Sequence, residues 1–124
     1  KNNNVVSELI SSYAWDTALN FICQTNSAGY TLATTTSSSY GNIGTGSRKN
    51  TGVNEKDHYS KIHDLLGNYY EWTTEYSELS LGYCVFRGGS YSSKEYFAAV
   101  RSNRTTSGSI NGISFRVQFY VKQN

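Results

Sequence analysis

The side chains most able to do chemistry lie around the middle of the 124-residue chain. Asp64 and Glu71 bracket the turn Leu65-Leu66-Gly67-Asn68-Tyr69-Tyr70. Two hard carboxylates around a glycine turn whose carbonyls converge make the oxygen-only set that a calcium ion needs. A capped turn with exposed acids is the alternative reading. Glu71 and Glu75 stand four apart and on a helix would share a face, which is weak support for an acid–base pair. His58 and His63 fall outside any HxxxH or HExxH frame, so they read as solvated or loop-packing imidazoles rather than metal ligands. Cys23 and Cys84 have no CxxC spacing; they read as two free or buried thiols, with a single bridge as the alternative. Nothing local would lower a thiol pKa toward catalysis. Ser90 follows Gly88-Gly89 without a histidine in the same motif, so no serine nucleophile is supported. Phosphate-binding loops, dinucleotide fingerprints and nucleophile elbows are absent from the sequence.

The elements that must position these residues follow from periodicity. Ser7 to Ile22 reads as a helix, with Ile10, Tyr13, Ala14, Thr17, Ala18, Phe21 and Ile22 at three- and four-residue spacing. Ser11 or Ser12 suits its N-cap, Asp16 its positive end, and Trp15 its core side. Residues 1–6 read as an arm or linker. Residues 25–57 have no sustained period and read as long ordered loops with at most one short strand. Ile62 to Glu75 is an aromatic and acidic block. Cys84 to Arg87 reads as a strand stopped by Gly88-Gly89, and Ser90 to Ser109 as loop. In Ile113 to Val121 the apolar Ile113, Phe115, Val117, Phe119 and Val121 alternate with other residues, the cleanest strand signal in the chain. The expectation is an α+β domain over residues 7–124, with one or two helices on a small twisted antiparallel sheet and extensive ordered loop. The start at Lys1 suits the C-terminal module of a longer protein.

Composition narrows the function. A net charge of +2 gives no footprint for nucleic acid, and no apolar run reaches the length of a membrane span. The chain holds 11 Tyr, 18 Ser, 12 Asn, 12 Thr and 11 Gly, with no Pro or Met. These are the residues binding loops prefer, because Tyr gives area with few rotors and Ser, Gly and Asn adapt their hydrogen bonds. Tyr and Thr are also ordinary strand residues, so composition alone leaves a polar β surface equally open.

Four stretches, in order, resemble the formylglycine-generating enzyme (sulfatase-modifying factor) family. Leu9 to Ala18, with Trp15, resembles its L-P-[ST]-E-A-E-W-E-Y-A helix. Gly67-Asn68-Tyr69-Tyr70-Glu71-Trp72-Thr73 resembles G-N-V-W-E-W-T. Val85-Phe86-Arg87-Gly88-Gly89-Ser90-Tyr91 resembles V-x-R-G-G-S-[WY], and Ser114-Phe115-Arg116 resembles the terminal G-F-R. The resemblance implies a C-type-lectin-like fold. It also implies a structural calcium site using the Asp64 and Glu71 side chains and the Gly67 and Tyr69 carbonyls. The family's enzymes hold copper on two cysteines that follow R-G-G-S, five residues apart. Those positions are Ser93 and Ala98 here, and neither supplies the thiolate Cu(I) prefers. No copper is expected, and two histidines are too few for the three-histidine iron site of the related sulfur-oxidising enzymes.

A non-enzymatic branch of the same fold contains the variable proteins of diversity-generating retroelements, found in phages and bacteria. There the segment between W-E-W and G-F-R is diversified at adenines, turning Asn codons into Tyr, Ser, Thr, Ala, Phe or Val. Phe86 to Asn111 carries such residues between Arg87-Gly88-Gly89 and Arg101. The expected display positions are Phe86, Ser90, Ser92, Ser93, Tyr96, Val100, Ser102 and Asn103. The expected function is a ligand-binding receptor or adhesin module on a virion or bacterial surface, binding a protein or glycan, with a homo-oligomer allowed. A divergent oxidase and a structural fibre-tip domain are the rival readings.

Overall fold

The computed structural model describes residues 5–53, 55, 58–78, 81–107 and 111–122. In chain order these form β1 (Val5–Leu9), α1 (Ser12–Thr25), α2 (Gly29–Thr34), β2 (His58–Tyr59) and β3 (Ile62–His63). They are followed by β4 (Tyr70–Tyr76), β5 (Tyr83–Arg87), β6 (Arg101–Thr105), β7 (Ile113–Phe115) and β8 (Val117–Val121). The central sheet runs β6-β5-β4-β7, antiparallel except for β4 with β7. A two-stranded ribbon, β1 with β8, joins the two ends of the described chain, and β2 with β3 makes a minimal hairpin.

The helix begins later than its periodicity suggests. Ser7 to Leu9 lies in β1, paired with Phe119 to Val117, and the arm expected over 1–6 is strand at Val5 and Val6; residues 1–4 lie outside the described residues. Ser11 is the N-cap: its backbone is extended and its hydroxyl accepts from the Ala14 N–H at 3.1 Å, satisfying a donor the first turn would leave orphaned. The buried stripe runs through Ser12, Trp15, Leu19 and Ile22, while Tyr13 and Phe21 point outward. Asp16 lies in the second turn, where it meets arginines from the sheet instead of the helix end.

Three further elements depart from expectation. The loop region holds α2, which packs against α1 so closely that a Cβ on Gly29 would stand 2.5 Å from the Cys23 Cα. Six residues are too few to show a helical period. Within the segment read as loop after Ser90, Arg101 to Thr105 is the edge strand β6; it is polar and charged, as exposed edges are. The terminal strand is divided at Arg116, so β7 joins the central sheet and β8 the ribbon.

The core gathers Ile10, Trp15, Leu19, Ile22, Leu32, Ile43, Tyr59, Leu65, Leu66 and Ala98. Trp15 sits at its centre with no exposed surface, donating from Nε1 to the Ala98 carbonyl at 2.9 Å. The long segment before β2 is ordered by two buried amides. The Asn42 Nδ2 donates to the Ser47 carbonyl and to Asn68 Oδ1, and Asn68 Nδ2 donates to the Lys49 carbonyl at 2.9 Å. The Asn68 oxygen in turn accepts the Lys49 N–H. Deleting the Trp15 ring removes both the packing and a buried hydrogen bond. Trp15→Ala should lower unfolding stability by about 3–5 kcal/mol, measured by denaturant melts; a loss under about 1 kcal/mol would refute Trp15 as the centre of the core.

Candidate functional site

Alternation along β4 sorts its side chains onto two faces. Glu71 and Thr73 are buried toward α1, with the Thr73 hydroxyl 3.1 Å from that of Ser12. Arg87 stands opposite Glu71 in register and also faces α1, where its Nη2 donates to Asp16 Oδ1 at 2.5 Å and to the Ala99 carbonyl at 3.2 Å. Its guanidinium carbon lies 5.8 Å from the Trp15 ring centroid, and that of Arg116 lies 5.9 Å from the same ring. Burial lowers the Arg87 pKa, and the hydrogen bond and charge of Asp16 oppose that shift. Its Nε and Nη1 have no hydrogen-bond partner among the described residues. Arg101 also reaches Asp16, and its Nε donates to Glu75 at 3.3 Å. Glu71 and Glu75 therefore belong to ion pairs on one face of a strand, and the helical pairing considered for them does not exist.

Arg116 engages one of the expected calcium ligands. Its Nε and Nη2 donate to the two Glu71 oxygens at 2.8 and 2.9 Å, and Nη2 donates also to the His63 carbonyl. Both oxygens of the expected ligand are thus held by a built-in cation. Asp64 is buried at φ 56°, with Oδ2 accepting from the Asn68 amide at 3.5 Å. Gly67 uses its N–H on the Gly88 carbonyl, and Tyr69 packs edge-on to Tyr91 at 5.9 Å. No cluster of three or more His, Cys, Asp or Glu able to hold a metal occurs among the described residues. A calcium ion takes six to eight oxygens, and of the two expected carboxylates Glu71 is taken by Arg116 while Asp64 accepts from Asn68. Of the set Asp64, Gly67, Tyr69 and Glu71, the Glu71 carboxylate as arranged is engaged by Arg116 and is not open to a cation.

On the opposite face, β4 presents Tyr70 and Trp72, and β5 presents Phe86. Phe86 is buried beneath their rings, with centroids 4.8 Å from Tyr70 and 5.8 Å from Trp72, both edge-to-face. Tyr96 closes on Tyr70 at 5.4 Å. Ser102 lies beside Phe86 in the β5–β6 register. The Tyr70 hydroxyl hydrogen-bonds Ser93, whose oxygen is 3.0 Å from that of Ser90, which is in turn 3.0 Å from that of Ser92. Of the eight expected display positions, Phe86, Tyr96 and Ser102 therefore cluster, joined through Tyr70 to Ser90, Ser92 and Ser93. Ser92 is exposed, and Tyr96, Val100 and Ser102 are half-buried. Phe86, Ser90 and Ser93 are buried, with Ser90 at 0%, so their side chains support the face rather than form its surface. Asn103 points with Val85 to the other side of the sheet. Residues 108–110 of the expected segment lie outside the described residues.

Tyr70 and Trp72 were not among the expected site residues. Their signal was present in the sequence: once Glu71 is buried in a strand, its two neighbours must face the other way. The positions where the family's enzymes carry their copper-binding cysteines are also placed. Ala98 is fully buried, its carbonyl taken by Trp15, and Ser93 is tied to Tyr70. Cys23 is exposed on α1 and Cys84 half-buried in β5, and they are not bridged.

This arrangement, two helices with small sheets and much ordered loop, is a C-type-lectin-like fold. The chain belongs to the family of sulfatase-modifying factor enzyme 1-like domains, which matches residues 7–119. Among solved structures, Treponema denticola variable protein 1 shares the fold at a TM-score of 0.62 and 17% identity, over 94% of this chain and 49% of that one. The chain thus spans about half the length of that protein. No curated protein matches it.

Burial pushes the Glu71 carboxyl above the ordinary carboxylate range, Arg116 pulls it back, and the charge of Asp64 adds to the rise. A raised folded pKa means that this group's contribution is full below the unfolded value of about 4.3. It is lost as pH rises through the folded value. The difference in stability between the wild type and Glu71→Gln, followed by thermal melts from about pH 4 upward, should therefore shift against the wild type with rising pH; a difference constant with pH would refute it. Calcium or a chelator should leave the wild-type melting temperature unchanged, because an ion bound only to the native state must raise it; a calcium-dependent rise would show that the Glu71–Arg116 pair opens.

Proposed function

We propose that this domain is a ligand-binding module, a receptor or adhesin unit of a phage or bacterial surface, and that it performs no catalysis. The observation that carries the reading is the aromatic face of Tyr70, Trp72 and Tyr96 over Phe86, rimmed by the Ser92 and Ser102 hydroxyls. Half-exposed rings held edge-to-face supply rigid area at low entropic cost, and small hydroxyls around them adapt to the partner. Anchors of this kind carry most of the energy in a binding surface. Chemistry is disfavoured because Ser93 and Ala98 stand where the family's enzymes place thiols, one engaged by Tyr70 and the other sealed in the core.

The partner is a surface protein or glycan. The exposed parts of residues 92–103 are the positions where the module tolerates change, while Arg87, Gly88 and Trp15 carry the scaffold. A Cβ on Gly88 would meet the Leu65 carbonyl at 2.9 Å and the Trp15 ring at 3.2 Å, so diversification cannot touch it without disturbing the core.

Screening the 124-residue protein against arrays of glycans and bacterial surface proteins should return a ligand. Trp72→Ala and Tyr96→Ala should each weaken it by about tenfold or more, with thermal melts showing that each variant is still folded. A ligand indifferent to both substitutions would move the site elsewhere. Incubation with copper and a cysteine-containing peptide tests the rival oxidase, and formation of formylglycine would overturn the binding reading. Comparison of sibling copies tests the display reading: substitutions should concentrate in 86–111, and uniform drift would remove it.

A further inference from the structure

The strand with the clearest apolar alternation ends with its apolar face in water. Phe119 is 69% exposed, Val121 65%, Val117 47%, and Val5, on the strand beside them, 62%. The ribbon register explains the patch. Val5 faces Val121, Ser7 faces Phe119, and Leu9 faces Val117, so all six side chains lie on one face and none is charged. The polar groups are on the other face, where the Tyr120 hydroxyl donates to Glu8 and Gln118 accepts from the Ser11 N–H. Phe115, 69% exposed, continues the apolar surface to a groove of about 340 Å³ between Leu9, Trp72 and Cys84. A soluble monomer seldom leaves such a contiguous patch uncovered.

We infer that this face of the β1–β8 ribbon is a homodimer interface, covered by the same face of a second copy of the chain. Three features select that occupant. First, the face is uncharged throughout, so two copies meet without like-charge repulsion and nothing on it recruits a charged partner. Second, its relief is self-complementary. A twofold axis along the ribbon, midway between two stacked ribbons, sets the Phe119 ring of each copy over the small Ser7 of the other. The same axis places Val5 over Val121 and Leu9 over Val117. The one large ring then meets the one small side chain, between two aliphatic pairs, and the contact closes as an isologous pair. Third, the area suffices: the exposed apolar side chains amount to on the order of 500 Å² per copy, so a pair buries about 1,000 Å², the threshold of a specific interface. Two ribbons stacked in this way form a four-stranded sandwich. The six paired ribbon side chains include none of Tyr70, Trp72 and Tyr96.

Sedimentation velocity on the full chain, from low to high micromolar concentration, tests this. The wild type should dimerise with rising concentration. Phe119→Asp and Ser7→Lys should each weaken the dimer by about tenfold or more. Mixing the two variants should restore association, because the axis sets position 7 of one copy against position 119 of the other and the introduced charges are opposite. Thermal melts confirm that each variant is folded; if Phe119→Asp is not, Ser7→Lys at its exposed polar site carries the test alone. A wild type monomeric at every concentration overturns the proposal, as does a dimer indifferent to the folded substitutions. Separate variants that lose the dimer and a mixture that fails to regain it overturn the twofold register.

Discussion

Two guanidinium groups lie over the Trp15 ring, and the rest of the structure depends on that contact. Arg87 approaches its ring from β5 and Arg116 from the end of β7. Arg87 is anchored on Asp16 of α1 and on the Ala99 carbonyl, and Arg116 on Glu71 of β4 and the His63 carbonyl. One indole thus holds together the helix, two central strands, the hairpin and the C-terminal turn. The stretches that resemble a family signature in the sequence are the ones that meet there. A buried charge is stable only while its partner and its packing persist. This is why a chain with so little regular structure needs a fixed centre.

That centre also explains what was legible in the sequence. Trp15, Gly88, Arg87, Glu71 and Arg116 belong to recognisable motifs because each is constrained by the others. The C-type-lectin-like fold followed from the resemblance they carry, and the α+β class from the periodicity of the helix and the terminal strand. Local order away from the centre was harder to read. Ser7 to Leu9 continues a helical pattern on paper, yet it pairs with β8, because tertiary contacts override weak propensity. Six residues of α2 and the polar edge of β6 carry no periodic signal at all. For the site, the segment was legible but the direction of each side chain was not. Phe86, Ser90 and Ser93 lie in the expected stretch, yet they support the face from beneath. The reach of Arg116 to Glu71 spans 45 residues and has no local trace, so the carboxylate that suits calcium on paper is already neutralised.

The same division organises function. Buried amides and ion pairs fix the irregular chain without large apolar content, with Asn42 and Asn68 tying the long loop and Asp16 tying the edge of the sheet through Arg101. The recognition face then rests on a rigid base, with its hydroxyls outermost. Ser102 pairs with Phe86 in the strand register, and the Ser92 hydroxyl lies at the outer end of the serine chain that reaches Tyr70. Where support and contact are carried by different residues, the contacts can change without the fold changing.

The antiparallel ribbon at the chain ends has a mechanical consequence. Val5 and Val121 are direct partners in β1 and β8, so a force applied through these two residues pulls across the strands rather than along them. Its hydrogen bonds would open one at a time, from the Val5 end toward Leu9, like a zipper. The module would therefore yield first at the ribbon under tension, while Trp15 and the sheet behind it stay unloaded until the last ribbon bond has parted.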